Sequence, residues 1–225
     1  MFQRQSFSYL PPVIKNLLII NGLAYFASIT FAQMGTDLNR IFGLYLPQSE
    51  LFEPYQLVSH LFFHANFGHI LGNMFALWMF GMSLENLWGS RRFFIYYFVT
   101  GIGAALCHMG VNMYEYYSHI NEVVPTLKGP ISYSEIMLQI PTVGASGAVF
   151  GLLLAFGMTY PEQRIYIYFL MPIKAKYFVA FYGLFELIAG FANQGSNIAH
   201  FAHIGGMLFG YLLLSHWKQQ RFRRY

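Results

Sequence analysis

The sequence predicts an all-α membrane protein built as a bundle of six transmembrane helices, and composition, long apolar runs and the placement of basic residues predict it. Apolar residues make up 56% of the 225 positions and charged residues 10%, against about 25% charged in a water-soluble domain. A surface so poor in charge suits lipid. No polar, linker-like stretch, internal repeat or low-complexity tract divides the chain, so residues 1–225 read as a single membrane domain.

Crossing the hydrocarbon as a helix takes roughly 20 apolar residues. Six stretches qualify: about 14–32, 68–87, 93–114, 146–160, 177–191 and 198–217. The first lacks a small-x-small cleavage site ahead of a soluble domain, so it reads as a retained span and not as a signal peptide. The fourth and fifth are short for a full crossing, which fits if their ends lie below the membrane surface inside the protein. Residues 33–67 carry Pro47 and Pro54 among Phe42, Tyr45, Phe52 and Tyr55, a loop apolar enough to lie partly in the interface. Residues 115–143, with Pro125, Pro130 and Pro141, read as a more exposed loop.

With six spans both termini share one side. Arg4, Lys15, Arg91, Arg92, Arg164, Lys174, Lys176, Lys218, Arg221, Arg223 and Arg224 fall on that side, leaving only Arg40 and Lys128 of the 13 basic residues on the other. The positive-inside rule then makes the termini cytoplasmic in a cell (inner) membrane. The net charge of +4 is explained by anionic headgroups, and no nucleic-acid partner is expected. The one cysteine, Cys107, excludes an internal disulfide and a cysteine metal cage.

Polar groups inside spans are costly and usually functional. Here, in the spans or on the approach to one, they are His60, His64, His69, Asn73, Glu85, Ser146, Glu186, His200 and His203. Ser146 opens the fourth span within Gly144-Ala145-Ser146-Gly147. The glycines admit close backbone approach, and a helix N-terminus offers unpaired N–H groups to an oxyanion. Taken alone, that motif is equally the N-cap of an ordinary membrane helix. His203 lies in the sixth span, where Gly206 and Gly210 make a G-x-x-x-G step that Gly147 and Gly151 match on the fourth. Packing those faces together brings an imidazole base to an alcohol nucleophile. At about 1.5 Å per residue, His203 sits roughly 8 Å below the start of its span. His69 and Asn73, four apart, share a face of the second span. They read either as oxyanion donors or as an interhelical polar clamp.

Together, G-A-S-G opening the fourth span, H-x-x-x-N in the second and A-H-x-x-G-x-x-x-G in the sixth resemble the rhomboid family of intramembrane serine proteases over roughly residues 12–217. That resemblance implies a rhomboid-like bundle hydrolysing peptide bonds in or near transmembrane segments of membrane-protein substrates by a Ser–His dyad. Ser146 would be the nucleophile and His203 the general base. His69, Asn73 and the Ser146 backbone amide would form the oxyanion hole, with Gly144, Gly147, Phe150, Gly206 and Gly210 in support. Glu85 matches a structural family glutamate. No cofactor, nucleotide or metal is implied.

Two departures stand out. Tyr55-Gln56 occupies the place of a frequent Trp-Arg pair, so loop anchoring is expected to differ. Phe150 replaces a tyrosine that stacks on the catalytic imidazole, keeping the ring and losing the hydroxyl. His60 and His64 are expected to be structural, fixing the approach to the second span, His200 is expected to hydrogen-bond near the outer surface, and Glu186 has no assigned partner. Two other classes stay open: a non-catalytic rhomboid-like escort of membrane clients, and a redox or metal-transport protein using His60, His64 and His69 as ligands.

Overall fold

The structure is a computed structural model that describes residues 7–126, 129–167, 171–192 and 199–222. In chain order it contains α1 (Pro12–Gln33), α2 (Leu38–Phe42), α3 (Gln56–Ser59), a 3₁₀ turn (His60–Phe62), α4 (Phe67–Trp88) and α5 (Ser90–Ser118). These are followed by β1 (Val123–Thr126), β2 (Gly129–Ser132), α6 (Tyr133–Gln139), α7 (Ser146–Thr159), β3 (Arg164–Ile167), β4 (Met171–Lys174), α8 (Ala175–Ala192) and α9 (His200–Phe222).

Helices α1, α4, α5, α7, α8 and α9 coincide with the six expected spans, and α5 overshoots by about a turn at each end. The expected opening of the sixth span at Ile198, most of the 191–197 loop before it, and Arg4, Lys128, Arg223 and Arg224 lie outside the described residues. Helices α1, α4, α5 and α8 are long and apolar enough to cross a membrane. Helix α9 is long too, but its apolar run is diluted by His200, His203 and His216. Helix α7 has only 14 residues. It is short because it is enclosed, packed against α4, α5, α8 and α9, with Ala148, Leu152 and Ala155 fully buried.

Small residues set the spacing, though not quite in the expected pairing. A Cβ on Gly206 would lie 1.9 Å from the Gly147 carbonyl oxygen, so α7 and α9 do touch backbone to backbone at that step. The remaining glycines of the two steps face a third helix. A Cβ on Gly147 would lie 2.4 Å from Ala104 Cβ, one on Gly151 2.6 Å from Thr100 Cβ, and one on Gly210 2.3 Å from Tyr96 Oη. All three neighbours sit on α5, whose Gly101, Gly103, Ala104 and Ala105 are themselves small. Three helices, not two, meet in the glycine seam.

Glu85, at the basic end of α4, is buried and joins three helices. Its carboxylate accepts the Val13 and Ile14 N–H groups, each at 3.0 Å, and the Ser90 hydroxyl at 2.6 Å. Those amides belong to the first turn of α1, where N–H groups lack intrahelical acceptors and the helix dipole favours negative charge.

The expected loops hold two hairpins that an all-helical reading omits. Antiparallel β1–β2 (Val123↔Ser132) lies in the 115–143 segment, and β3–β4 (Arg164↔Lys174) connects α7 to α8. The Arg-Ile-Tyr-Ile alternation of β3 carried the period-2 signal for the second. The 33–67 segment is held by Gln56 in place of the family's arginine. Its Nε2 donates to the Leu51 and Ile41 carbonyls at 2.9 and 3.3 Å, and its Oε1 accepts the Glu53 and Tyr45 N–H groups at 3.1 and 3.4 Å. One neutral amide thus satisfies four backbone groups. The loop is strapped in turn to the strand of chain before α7: Leu44 and Thr142 exchange backbone bonds at 2.8 Å, and Gly144 N–H donates to the His60 carbonyl at 2.9 Å. This fixes the approach to Ser146.

Candidate active site

Ser146 is the first residue of α7, and its hydroxyl is not spent on capping the helix. It lies 2.9 Å from His203 Nε2. Phe150, one turn further along α7, stacks flat on the His203 ring, with centroids 4.0 Å apart and planes 6° off parallel. The ring missing its hydroxyl therefore still holds the imidazole in plane.

The other ring nitrogen of His203 meets a group for which the sequence suggested no partner. His203 Nδ1 is 2.8 Å from Glu186 Oε2, and His200 Nδ1 is 2.7 Å from the same oxygen. All three residues are buried. An ionised carboxylate only accepts, so both Nδ1–H groups donate to it, and the Nε2 of His203 is left to accept the Ser146 proton. His200, the first residue of α9, thus hydrogen-bonds to α8 and is buried against it. The sequence held a usable signal: a carboxylate in an apolar span needs a partner, and His200 and His203 sit on one face of the next span.

His69 and Asn73 rise from α4 on the other side. The His69 ring covers Gly144, whose φ is +126°, and a Cβ there would fall 2.6 Å from His69 Cε1. Gly144 is thus required twice, by its backbone and by the ring beside it. Asn73 is buried, and its Nδ2 has no hydrogen-bond partner among the described residues. A buried donor left unused is costly, unless a ligand takes it up. Beside Ser146 lies a cavity of about 20 Å³, lined by His60, Gly144, Ala199 and Ala202 among others, room for a single water.

His60 and His64 do not form a ligand set with His69. His60 Nδ1 donates to the Gln56 carbonyl at 2.7 Å. Burial pushes the His60 pKa down to about 4 against the opposing pull of that bond. Burial, then the proximity of His69, pushes His64 to about 3. Both rings are neutral at physiological pH. Among the described residues, the His/Asp/Glu grouping compact enough for a metal is instead Glu186, His200 and His203, with ligand atoms within 4.8 Å of one another.

Comparison with known proteins agrees with the fold. The Rhomboid domain family model matches residues 51–217. Rhomboid protein 1, mitochondrial, of Saccharomyces cerevisiae is 30% identical over 173 residues, covering 75% of this chain and 44% of that protein. Presenilin-associated rhomboid-like protein, mitochondrial, of Homo sapiens is 29% identical over 168 residues, 71% of this chain and 38% of that one. Rhomboid protease GluP of Bacillus subtilis is 27% identical over 159 residues, 71% of this chain and 25% of that one. The chain spans less than half the length of these relatives.

Proposed function

The chain belongs to the rhomboid family, and on that premise we propose that this multi-pass membrane protein is a serine endopeptidase cleaving peptide bonds in or near transmembrane segments of other membrane proteins. The 2.9 Å contact between Ser146 Oγ and His203 Nε2, under the stacked Phe150 ring, carries the reading.

In this mechanism His203 takes the Ser146 proton as the alcohol attacks the scissile carbonyl. The oxyanion is met by the first-turn N–H of Ser146, by Asn73 Nδ2 and by His69. His203 then returns the proton to the departing amine. A water from the cavity beside Ser146, deprotonated by the same imidazole, releases the acyl group. A helical substrate hides its amides, so its segment must unwind locally before attack, which small or helix-breaking residues favour. In this reading the N- and C-termini are cytoplasmic, a choice supported by the positive-inside count, and the serine is reached from the opposite side.

The test is purified protein with a tagged transmembrane substrate. Ser146→Ala and His203→Ala are each expected to lose cleavage by about 10⁴-fold or more, and Ser146→Ala to lose covalent labelling by a fluorophosphonate. Cleavage surviving in Ser146→Ala would sink the reading. A non-catalytic escort of membrane clients predicts no labelling of the wild type.

A further inference from the structure

We infer that Glu186 is a positioning residue of this same reaction, its carboxylate fixing the orientation and tautomer of His203 so that the chain works with a Ser146–His203–Glu186 triad. The inference rests on the protease reading above and departs from the dyad that the family resemblance implies.

Four observations support it. First, the chain of contacts is continuous: Ser146 Oγ to His203 Nε2 at 2.9 Å, then His203 Nδ1 to Glu186 Oε2 at 2.8 Å. Second, the acceptor-only carboxylate admits one tautomer of neutral His203, protonated on Nδ1 and open on Nε2, which is the form a general base needs. Third, the carboxylate is itself held. His200 donates to the same Oε2 at 2.7 Å, so Glu186 cannot swing away without stranding a buried N–H on α9. Fourth, Glu186 is 3% exposed although its neighbours Phe185 and Leu187 are open to the surroundings at 59% and 39%. A carboxylate kept in an otherwise lipid-facing helix is costly. The other ionisable side chains set against His203 among the described residues are His200, His69 on α4 and His108 on α5, none of them acidic. When His203 takes up a proton in the transition state, Glu186 is therefore the anion placed to stabilise it. The second role open to the same geometry is a polar clamp between α8 and α9.

The experiment compares wild type, Glu186→Gln and Glu186→Asp on one transmembrane substrate, with Ser146→Ala as the blank. Gln preserves shape but can turn its NH₂ toward His203 and favour the wrong tautomer. Glu186→Gln is expected to lower kcat by about 100-fold or more, with KM held within about threefold and fluorophosphonate labelling slowed in parallel. Glu186→Asp is expected to recover part of that loss. Imidazole ¹⁵N signals of wild-type His203 should report protonation on Nδ1. That measurement decides the matter even where Glu186→Gln does not fold, since a wild-type ring protonated on Nε2 overturns the triad. So does a Glu186→Gln enzyme of wild-type kcat, or one whose loss merely follows its thermal unfolding. Stoichiometric zinc in active wild-type protein also overturns it, because the three side chains would then be ligands. A wild type that neither cleaves nor labels brings down the protease reading instead, and the triad with it.

Discussion

Helices α7 and α8 both pack on α9, but in opposite ways. Ten of the 14 residues of α7 are buried, whereas α8 buries Ala175, Val179, Glu186, Ala189 and Gly190 and turns Phe181, Leu184, Phe185, Ile188 and Phe191 outward. The α7–α9 seam closes backbone to backbone, with 1.9 Å between a notional Gly206 Cβ and the Gly147 carbonyl oxygen. The α8–α9 seam is looser: a Cβ on Gly183 would meet only the flexible end of Met207, at 3.3 Å. Ser146 thus opens a helix that is closely packed on all sides. The carboxylate behind the histidine rides on a helix with one face turned outward. Precision of the Ser146–His203 pair comes from steric exclusion, and that of the Glu186 contact from hydrogen bonding.

The sharpest way to break this contrast is a methyl group in each seam. Gly206→Ala forces two backbones apart and is expected to cost about 3 kcal/mol or more, beyond ordinary overpacking, with loss of cleavage. Gly183→Ala is expected to change stability by no more than about 1 kcal/mol and to retain most activity, because a thioether end can shift. Thermal unfolding and substrate cleavage on both variants check this. Equal damage from the two would show that the seams do not differ.

A smaller effect sharpens the contrast at the point where the helices meet. Phe150 lies between the His203 ring at 4.0 Å and the Tyr182 ring of α8 at 4.9 Å. Because stacking uses the ring face, Phe150→Tyr is expected to leave kcat within about threefold of wild type. A large loss would mean that this edge of the pocket cannot accept a hydroxyl.

The smallest effect concerns the base of α8. Glu162, just after α7, pairs with Lys174 at 2.7 Å and with Lys176, while Ala175 and Lys176 N–H groups donate to the Gln163 and Pro161 carbonyls. The hydrogen bonds to Lys174 and Lys176 hold the Glu162 carboxyl down to about 2, from an ordinary 4.5. A depressed acid stabilises above its ordinary pKa, and that contribution fades as pH falls through the lowered one. The difference in Tm between wild type and Glu162→Gln is therefore expected to be small at neutral pH, where exposed pairs contribute little. It should vanish between about pH 4.5 and 2. A difference that persists unchanged at pH 2 would place the tether elsewhere.

These contrasts also mark what the sequence made legible. The apolar runs marked the six bundle helices because lipid imposes an apolar composition on each one separately. The G-A-S-G and A-H-x-x-G-x-x-x-G motifs brought Ser146 and His203 to one place because close helix contact leaves its trace in glycines. Less legible was anything that depends on how a helix is turned about its own axis. Glu186 could be seen as anomalous, but its 2.8 Å contact with His203 follows from the rotation of α8, which an almost uniformly apolar helix does not encode. The share of α5 in the glycine seam was missed for a related reason. Its Gly101-Ile102-Gly103-Ala104-Ala105 run reads as a generic small-residue stretch until partners are known.

The contact between Glu85 and the first turn of α1 has a consequence for biogenesis. The Val13 and Ile14 amides are synthesised first, yet the carboxylate that receives them follows 72 and 71 residues later in the chain. Until then those donors must be served by water or headgroups at the membrane surface. Helix α1 therefore inserts before it can be locked, and the lock closes only when α4 has been threaded through. A nascent chain arrested short of Glu85 should leave the first turn of α1 accessible to protease or to amide exchange, and one extended past Ser90 should not.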